Sequence, residues 1–313
     1  MVKNSSRAVG RHALHIPGPT PVPDRVLRAI DQPMIDHRGP EFAKVTKKAL
    51  EGIKTIFKTN HPVIIFTATG TGAWEAALTN TLSPGDKVLT VETGQFGLLW
   101  KKMAEKLGLK PEVIETDWRH GVDPNEVEKR LRADKNKEIK AVCVLHNETS
   151  TGALSDIAGV RKAIDAAKHP ALLMVDCVAS LGCMPYEHDS WGVDVSMTGS
   201  QKGLMTPPGL AFVTASDKAK AVHKTAGMRT MYWDWSFRDG EVSYHKYCGT
   251  PPEHLLFGLR KAIDMLFAEG MTAVFARHHL LARAVRAAVD RWAEGQAIGF
   301  NIAEPAQRAD SVT

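Results

Sequence analysis

Short apolar runs rich in β-branched residues recur along the chain: VIIFT at 63–67, KVLTVE at 87–92, EVIETD at 112–117, IKAVCVLH at 139–146, ALLMVDC at 171–177, DVSMTG at 194–199 and LAFVTA at 210–215. Between several of them lie segments with apolar residues at helical spacing: 72–82, 98–108, 123–134 and 159–169. A run that is apolar at every position is buried on both faces. Such strands alternating with amphipathic helices predict an α/β fold, with a mostly parallel sheet and helices on both faces. PVPDRVLRAI and FAKVTKKALEGIKTIFK predict helices before this core. PEHLLFGLRKAIDMLFAEG and VFARHHLLARAVRAAVDRWAEG predict two long ones after it. The apolar positions of the last helix call for a covering layer. The final AEPAQRADSVT begins a β-prone stretch, and the chain reads as cut rather than finished. No internal repeat or low-complexity linker interrupts the pattern.

Composition narrows the class without changing it. The chain has 313 residues, 43% hydrophobic and 24% charged, with a formal net charge of +5. That is ordinary for a soluble globular protein. No Lys/Arg block carries interleaved aromatics, so no nucleic-acid partner is expected. No apolar stretch approaches the roughly 20 residues of a membrane span, and MVKNSSRAVGRHALHIPGP lacks the apolar centre of a secretory signal. Cys143, Cys177, Cys183 and Cys248 form no CxxC pair, and three sit in or beside apolar runs. Reduced thiols in a cytoplasmic protein are the expectation. No His/Cys/Asp/Glu set has metal-ligand spacing, so no metal is expected.

Ligands of parallel α/β sheets bind beyond the carboxyl ends of the strands. There the sequence places A-T-G-T-G after VIIFT, N-E-T-S-T-G after IKAVCVLH, Asp176 after ALLMV, and S-Q-K after DVSMTG. Each has a plain structural reading. Thr69-Gly70-Thr71-Gly72 could be only a tight turn, Asp176 a cap, Lys202 an ordinary loop lysine, and Thr149, Ser150 and Thr151 turn hydroxyls. Their coincidence points to one chemistry. A helix start with free amides binds phosphate. A carboxylate ending an apolar strand needs a cation or donor. A lysine among glycines can reach over a flat ring. Pyridoxal phosphate (PLP) requires all three: an amine for its aldehyde, a helix N-terminus for its phosphate, and a carboxylate for its pyridine nitrogen. Asp176 and Lys202 are 202 − 176 = 26 residues apart, enough to leave one strand end and return at a neighbour.

The chain resembles the class V (fold type I) PLP-dependent aminotransferases, and among them the serine–glyoxylate and alanine–glyoxylate enzymes. The motifs that carry the resemblance are IPGPTPVP, DHRGPEF, TATGTGAWEAALTNTLSPGD, HNETSTG, VDCVASLG, TGSQKGLMTPPG and GTPPEHLLFGLR, in order from residue 16 to about 280. The resemblance implies an N-terminal arm over 1–21, a large PLP-binding domain over 22–255, and the start of a smaller C-terminal domain over 256–313. It implies Lys202 as the lysine bound to the cofactor and Asp176 as the partner of the pyridine nitrogen. Thr69, Gly70, Thr71 and Gln201 would hold the phosphate, Thr149 the ring hydroxyl, and Phe96 would stack on the ring. Tyr247 and Thr250 would reach the phosphate of a neighbouring subunit in a homodimer.

Two features depart from the family pattern. Cys177 stands where a glycine usually follows the ring aspartate, and nothing matches the family's C-terminal segment that carries the substrate-carboxylate arginine in an R-x-G context; Arg277, Arg283 and Arg286 lie on a helix with no such context. The implied reaction is transamination between a small amino acid and glyoxylate. Serine is the favoured donor and hydroxypyruvate its product, with aspartate or alanine as rivals. Two other classes stay open: a nicotinamide dehydrogenase, weakened because Glu75 occupies the place of the third fingerprint glycine, and a non-catalytic binding protein on a PLP fold.

Overall fold

The computed structural model describes residues 13–296 and 298–312; of the expected arm, residues 1–12 lie outside the described residues. Nine strands occur in chain order: β1 (Val63–Phe66), β2 (Lys87–Glu92), β3 (Lys110–Glu115), β4 (Ile139–Leu145), β5 (Asn147–Glu148), β6 (Ala153–Leu154), β7 (Leu172–Asp176), β8 (Val195–Gly199) and β9 (Ala211–Ala215). The α-helices are α1 (Asp24–Ile30), α2 (Pro40–Phe57), α3 (Gly70–Thr79), α4 (Gln95–Lys106), α5 (Pro124–Ala133), α6 (Ile157–Ala166), α7 (Asp217–His223), α8 (Trp235–Arg238), α9 (Glu253–Glu269) and α10 (Met271–Ala293). Seven strands, the seven apolar runs of the sequence, form one sheet in the order β1-β9-β8-β7-β4-β2-β3. β9 pairs antiparallel with both β1 and β8, and every other pairing is parallel. Six carboxyl ends therefore open on one edge.

The sheet is buried on both faces because successive side chains of each strand point opposite ways. Val63 and Ile65 of β1 join a core with α2, α5, α6 and α9, whereas Ile64 and Phe66 join a second core with α3, α4 and α7. α2 shows why these helices dock. Gly39 precedes Pro40, a residue suited to the first helical turn, and Phe42, Val45, Ala49, Ile53 and Ile56 then recur at steps of three and four. α5 and α6 start where Asp123 and Asp156 accept the amides of Asn125 and Gly159. Such caps contribute about 1 kcal/mol each.

The expected division at 255/256 falls in the first turn of α9. α9 begins at Glu253 and crosses that boundary. Its Leu256, Phe257, Leu259, Ile263 and Leu266 are part of the main core. A break comes at Gly270, whose φ of +86° suits glycine and separates α9 from α10. α10 buries Val274 and Ala282, and leaves Leu280, Leu281, Val285 and Trp292 exposed.

Candidate active site

A cavity of about 250 Å³ lies at the carboxyl edge of the sheet, and eight of the ten residues named from the sequence line it: Thr69, Gly70, Thr71, Phe96, Thr149, Asp176, Gln201 and Lys202. The end of β7 and the loops following β1, β2, β5 and β8 bring them together.

The loop after β1 turns at once into α3. Its N-cap, Thr69, is extended and makes no side-chain cap. The first amides of a helix have no partner within it, so those of Gly70 and Thr71 are left for a ligand, at the positive end of the helix dipole. A side chain at Gly70 would press on Val178 at 2.7 Å, so only glycine brings the backbone this close. Beside this cradle Gln201 Oε1 is buried without a partner. A phosphate with its counter-ions or a protonated phosphate oxygen suits such a cradle.

Asp176 ends β7 and is 5% exposed. Two N–H groups orient its carboxylate: Trp74 Nε1 donates to Oδ2 at 2.7 Å, and the Val178 amide donates to Oδ1 at 2.6 Å. Burial, the largest influence, pushes its carboxyl up to about 7 despite those donors. A cation placed against it would restore the ionised form, which is what a protonated pyridine nitrogen offers.

Lys202 stands on the loop joining β8 to β9 and is half-buried. Its Nζ donates to the carbonyl oxygen of Pro17, next to Gly18 and Pro19 in the cavity wall. Burial lowers its pKa, while Asp176 acts in the opposite direction. The side chain runs over Gly18, where φ is +104° and an added Cβ would lie 2.5 Å from Lys202 Cδ and Nζ. We predict that Gly18→Ala will weaken PLP retention at least tenfold and cost about 1–3 kcal/mol of stability, read by dialysis and thermal unfolding. Retention equal to wild type would show that the lysine does not need this space.

Phe96 is part of the pocket wall rather than a purely internal aromatic, edge-on to Trp74 at 6.3 Å between centroids. Its position depends on Glu148, a fully buried carboxylate that the sequence displayed in HNET without a role. Glu148 Oε2 accepts from the amides of Phe96 and Gly97, both at 3.1 Å, and Oε1 from the Ser150 amide and hydroxyl. The start of α4 is thus capped from β5, about fifty residues away. Trp74 was likewise unassigned, because an aromatic in a helix reads as core.

Tyr247 and Thr250 are not brought to this cavity. Tyr247 is 1% exposed. Its hydroxyl lies 3.0 Å from Thr46 Oγ1, and its ring is edge-on to Phe42. Within its own chain Tyr247 is thus packed against α2, and its expected contact with a neighbouring subunit involves a site outside this chain. Thr250 is exposed, beside a second cavity with His37, Arg38 and Tyr244. Cys177, the departure after the aspartate, is fully buried and donates its thiol to Met197 O at 3.2 Å, so it fills core space. Arg277 borders a cavity on the other side of Lys202, but its guanidinium is held by both oxygens of Glu269, at 2.7 and 3.0 Å.

An anion cradle, an oriented carboxylate and a part-desolvated lysine around one cavity on a seven-stranded α/β sheet define a site for PLP-type chemistry. The aminotransferase class-V family model matches residues 13–313, and the chain belongs to that family. It is 49% identical to the L-aspartate–glyoxylate aminotransferase of Paracoccus denitrificans over 90% of this chain and 72% of that protein. It is 48% identical to the serine–glyoxylate aminotransferase of Methylorubrum extorquens, over 92% and 73%. Among solved structures, alanine–glyoxylate aminotransferase from Nostoc sp. superposes with a TM-score of 0.83 at 28% identity, over 94% of this chain and 77% of that one.

Proposed function

We propose that the protein binds PLP in the cavity beside Lys202 and transfers the amino group of a small L-amino acid, serine by preference, to glyoxylate. Hydroxypyruvate and glycine would be the products. The observation that carries this reading is the convergence of Lys202, Asp176 and the uncapped start of α3 on one cavity.

The cofactor would supply an aldehyde for the amine and an electron-accepting ring. The α3 amides, with Thr69, Thr71 and Gln201, would hold its phosphate, and Thr149 its hydroxyl. Phe96 would cover one ring face. Asp176, fixed by Trp74 and Val178, would accept a hydrogen bond from the ring nitrogen and keep it protonated. Lys202 Nζ, whose burial favours the neutral amine, would take the substrate Cα proton as a base and return a proton as an acid. Ile16 to Thr20 and the Pro17 carbonyl would shield that exchange from water. No arginine is assigned to the substrate carboxylate, because Glu269 already neutralises Arg277. In a homodimer the exposed Thr250 would contact the partner's phosphate. Four free cysteines support a cytoplasmic setting.

Relatives named for aspartate and for serine stand at 49% and 48% identity, so aspartate is the second donor to test. A panel of serine, aspartate and alanine against glyoxylate, following the loss of each amino acid, decides. We expect serine to have the highest kcat/KM. An aspartate value ten times that of serine would reassign the donor, and no half-reaction with any of the three would sink the reading.

A further inference from the structure

The opposite edge of the sheet holds a group of side chains that the cofactor pocket does not use. His61 immediately precedes Pro62 and β1, while His188 and Asp189 lie in the connection from β7 to β8. Separated by 127 residues along the chain (188 − 61), they meet in the fold. One potential ligand atom from each lies within 4.8 Å of the other two. Sequence spacing could not have shown this.

His188 is fully buried. Its Nδ1 lies 2.6 Å from Ser196 Oγ, which is itself 2.6 Å from the Tyr186 hydroxyl. Its Nε2 is buried with no partner. A buried polar atom left unpaired is costly and calls for a reason. If Nδ1–H donates to Ser196, Nε2 carries a free lone pair, the arrangement of a ligating histidine whose other nitrogen is fixed by a hydrogen bond. Asp189 is oriented just as firmly. Thr59 Oγ1 donates to Oδ1 at 2.7 Å, and the Asn60 amide and side chain donate to Oδ2 at 2.8 and 3.2 Å. Thr59 Oγ1 also accepts the His61 amide at 3.1 Å, so the same hydroxyl ties two of the three residues together. The His61 ring is edge-on to that of His188 at 5.9 Å.

We infer that His61, His188 and Asp189 form a binding site for a divalent transition-metal ion, Zn²⁺ being the best match to two imidazoles and one carboxylate. Such ions hold nitrogen and oxygen ligands at about 2.0–2.2 Å in tetrahedral geometry, which places ligands roughly 3.3 Å apart. Ligand atoms that lie up to 4.8 Å apart must therefore close by as much as about 1.5 Å. His61 provides that movement. Its ring is partly exposed, and its Nδ1 lies 3.6 Å from Asp217, itself 88% exposed. The ion would clasp the segment after α2 to the β7–β8 connection, where Phe57 O and Lys58 O already accept the His188 and Asp189 amides. Its place on the far edge of the sheet keeps it out of the transamination chemistry.

Zn²⁺ buffered by a weak chelator, dialysed against metal-stripped, PLP-loaded protein, tests the site. We expect one equivalent to bind and the melting temperature to rise with free Zn²⁺, as binding to the folded state alone requires. His61→Ala removes a part-exposed ligand and Asp189→Asn a charge; each should weaken binding about 100-fold or more and leave metal-free transamination unchanged. If His61→Ala failed to fold, the Asp189→Asn result would stand alone as the test. Failure of wild-type protein to take up an equivalent, or full retention of it by both variants, would overturn the inference, the latter pointing to a site elsewhere such as Cys248.

Discussion

Lys202→Ala should lose the pyridoxyl group that borohydride fixes to the wild-type chain, and transamination should fall by about 10²–10⁴-fold or more. The fold should survive. The Lys202 side chain donates to Pro17 O, and its loop is held by backbone bonds and by other residues. Ser200 donates its amide to Leu210 O and its hydroxyl to Pro207 O, and the Thr206 amide donates to Ser200 O. Unchanged far-UV dichroism with lost pyridoxyl is the expected pair of results. Peptide mapping decides between lysines. Lys87 is engaged by Glu138 at 2.6 Å and Glu112 at 3.6 Å on the sheet's other edge, and Lys224 ends α7. Recovery of the reduced group on either would remove Lys202 from the mechanism.

Asp176→Asn should have two effects of opposite sign. With cofactor present, Asn cannot hold the ring nitrogen protonated. An interaction of about 3 kcal/mol between charged partners corresponds to about 10²-fold in the rate of Cα proton removal. Near-normal turnover would leave Asp176 a structural residue. Without cofactor, the substitution should stabilise the protein at neutral pH and above. The carboxyl, ordinarily at 3.8, is pushed up to about 7 by burial. A group whose pKa is raised on folding contributes its stability fully below the unfolded value and loses it as pH rises through the folded one. Between pH 4 and 7 the cofactor-free wild type should therefore lose about 4 kcal/mol relative to Asp176→Asn. Parallel stability–pH curves for the two proteins would contradict this.

Much of this was legible in the sequence, for identifiable reasons. All seven sheet strands overlap apolar runs, most closely where the strand is buried on both faces, as in β4 and β7; edge strand β3, with Lys110, Glu112 and Glu115, starts two residues before its run. The direction of β9 was not legible. LAFVTA reads alike either way, and only the absence of a crossover helix between β8 and β9 betrays the reversal. α4 begins at Gln95, three residues before its apolar spacing, because Glu148 caps amides that no local residue could. Lys202, Asp176 and Thr69 to Thr71 were legible because strand ends converge by topology. Tyr247 was not. YCGTPP has loop composition, and its burial is decided by Thr46 and Phe42, two hundred residues earlier. The contact from Trp74 to Asp176 spans 102 residues and leaves no local trace.

The reversed strand has an entropic consequence for the pocket. Lys202 lies between β8 and β9, in a connection covering only residues 200–210. The phosphate cradle follows β1, whose Val63 pairs with Thr214 across 214 − 63 = 151 residues. Loop-closure entropy grows as about (3/2)RT times the logarithm of loop length, so the second closure costs roughly 2 kcal/mol more. The lysine's loop is thus shaped by near neighbours, while the cradle opposite it depends on the chain's most distant pairing within the sheet. Strain or denaturant acting on the β1 edge would open the phosphate side of the pocket and leave the lysine side assembled.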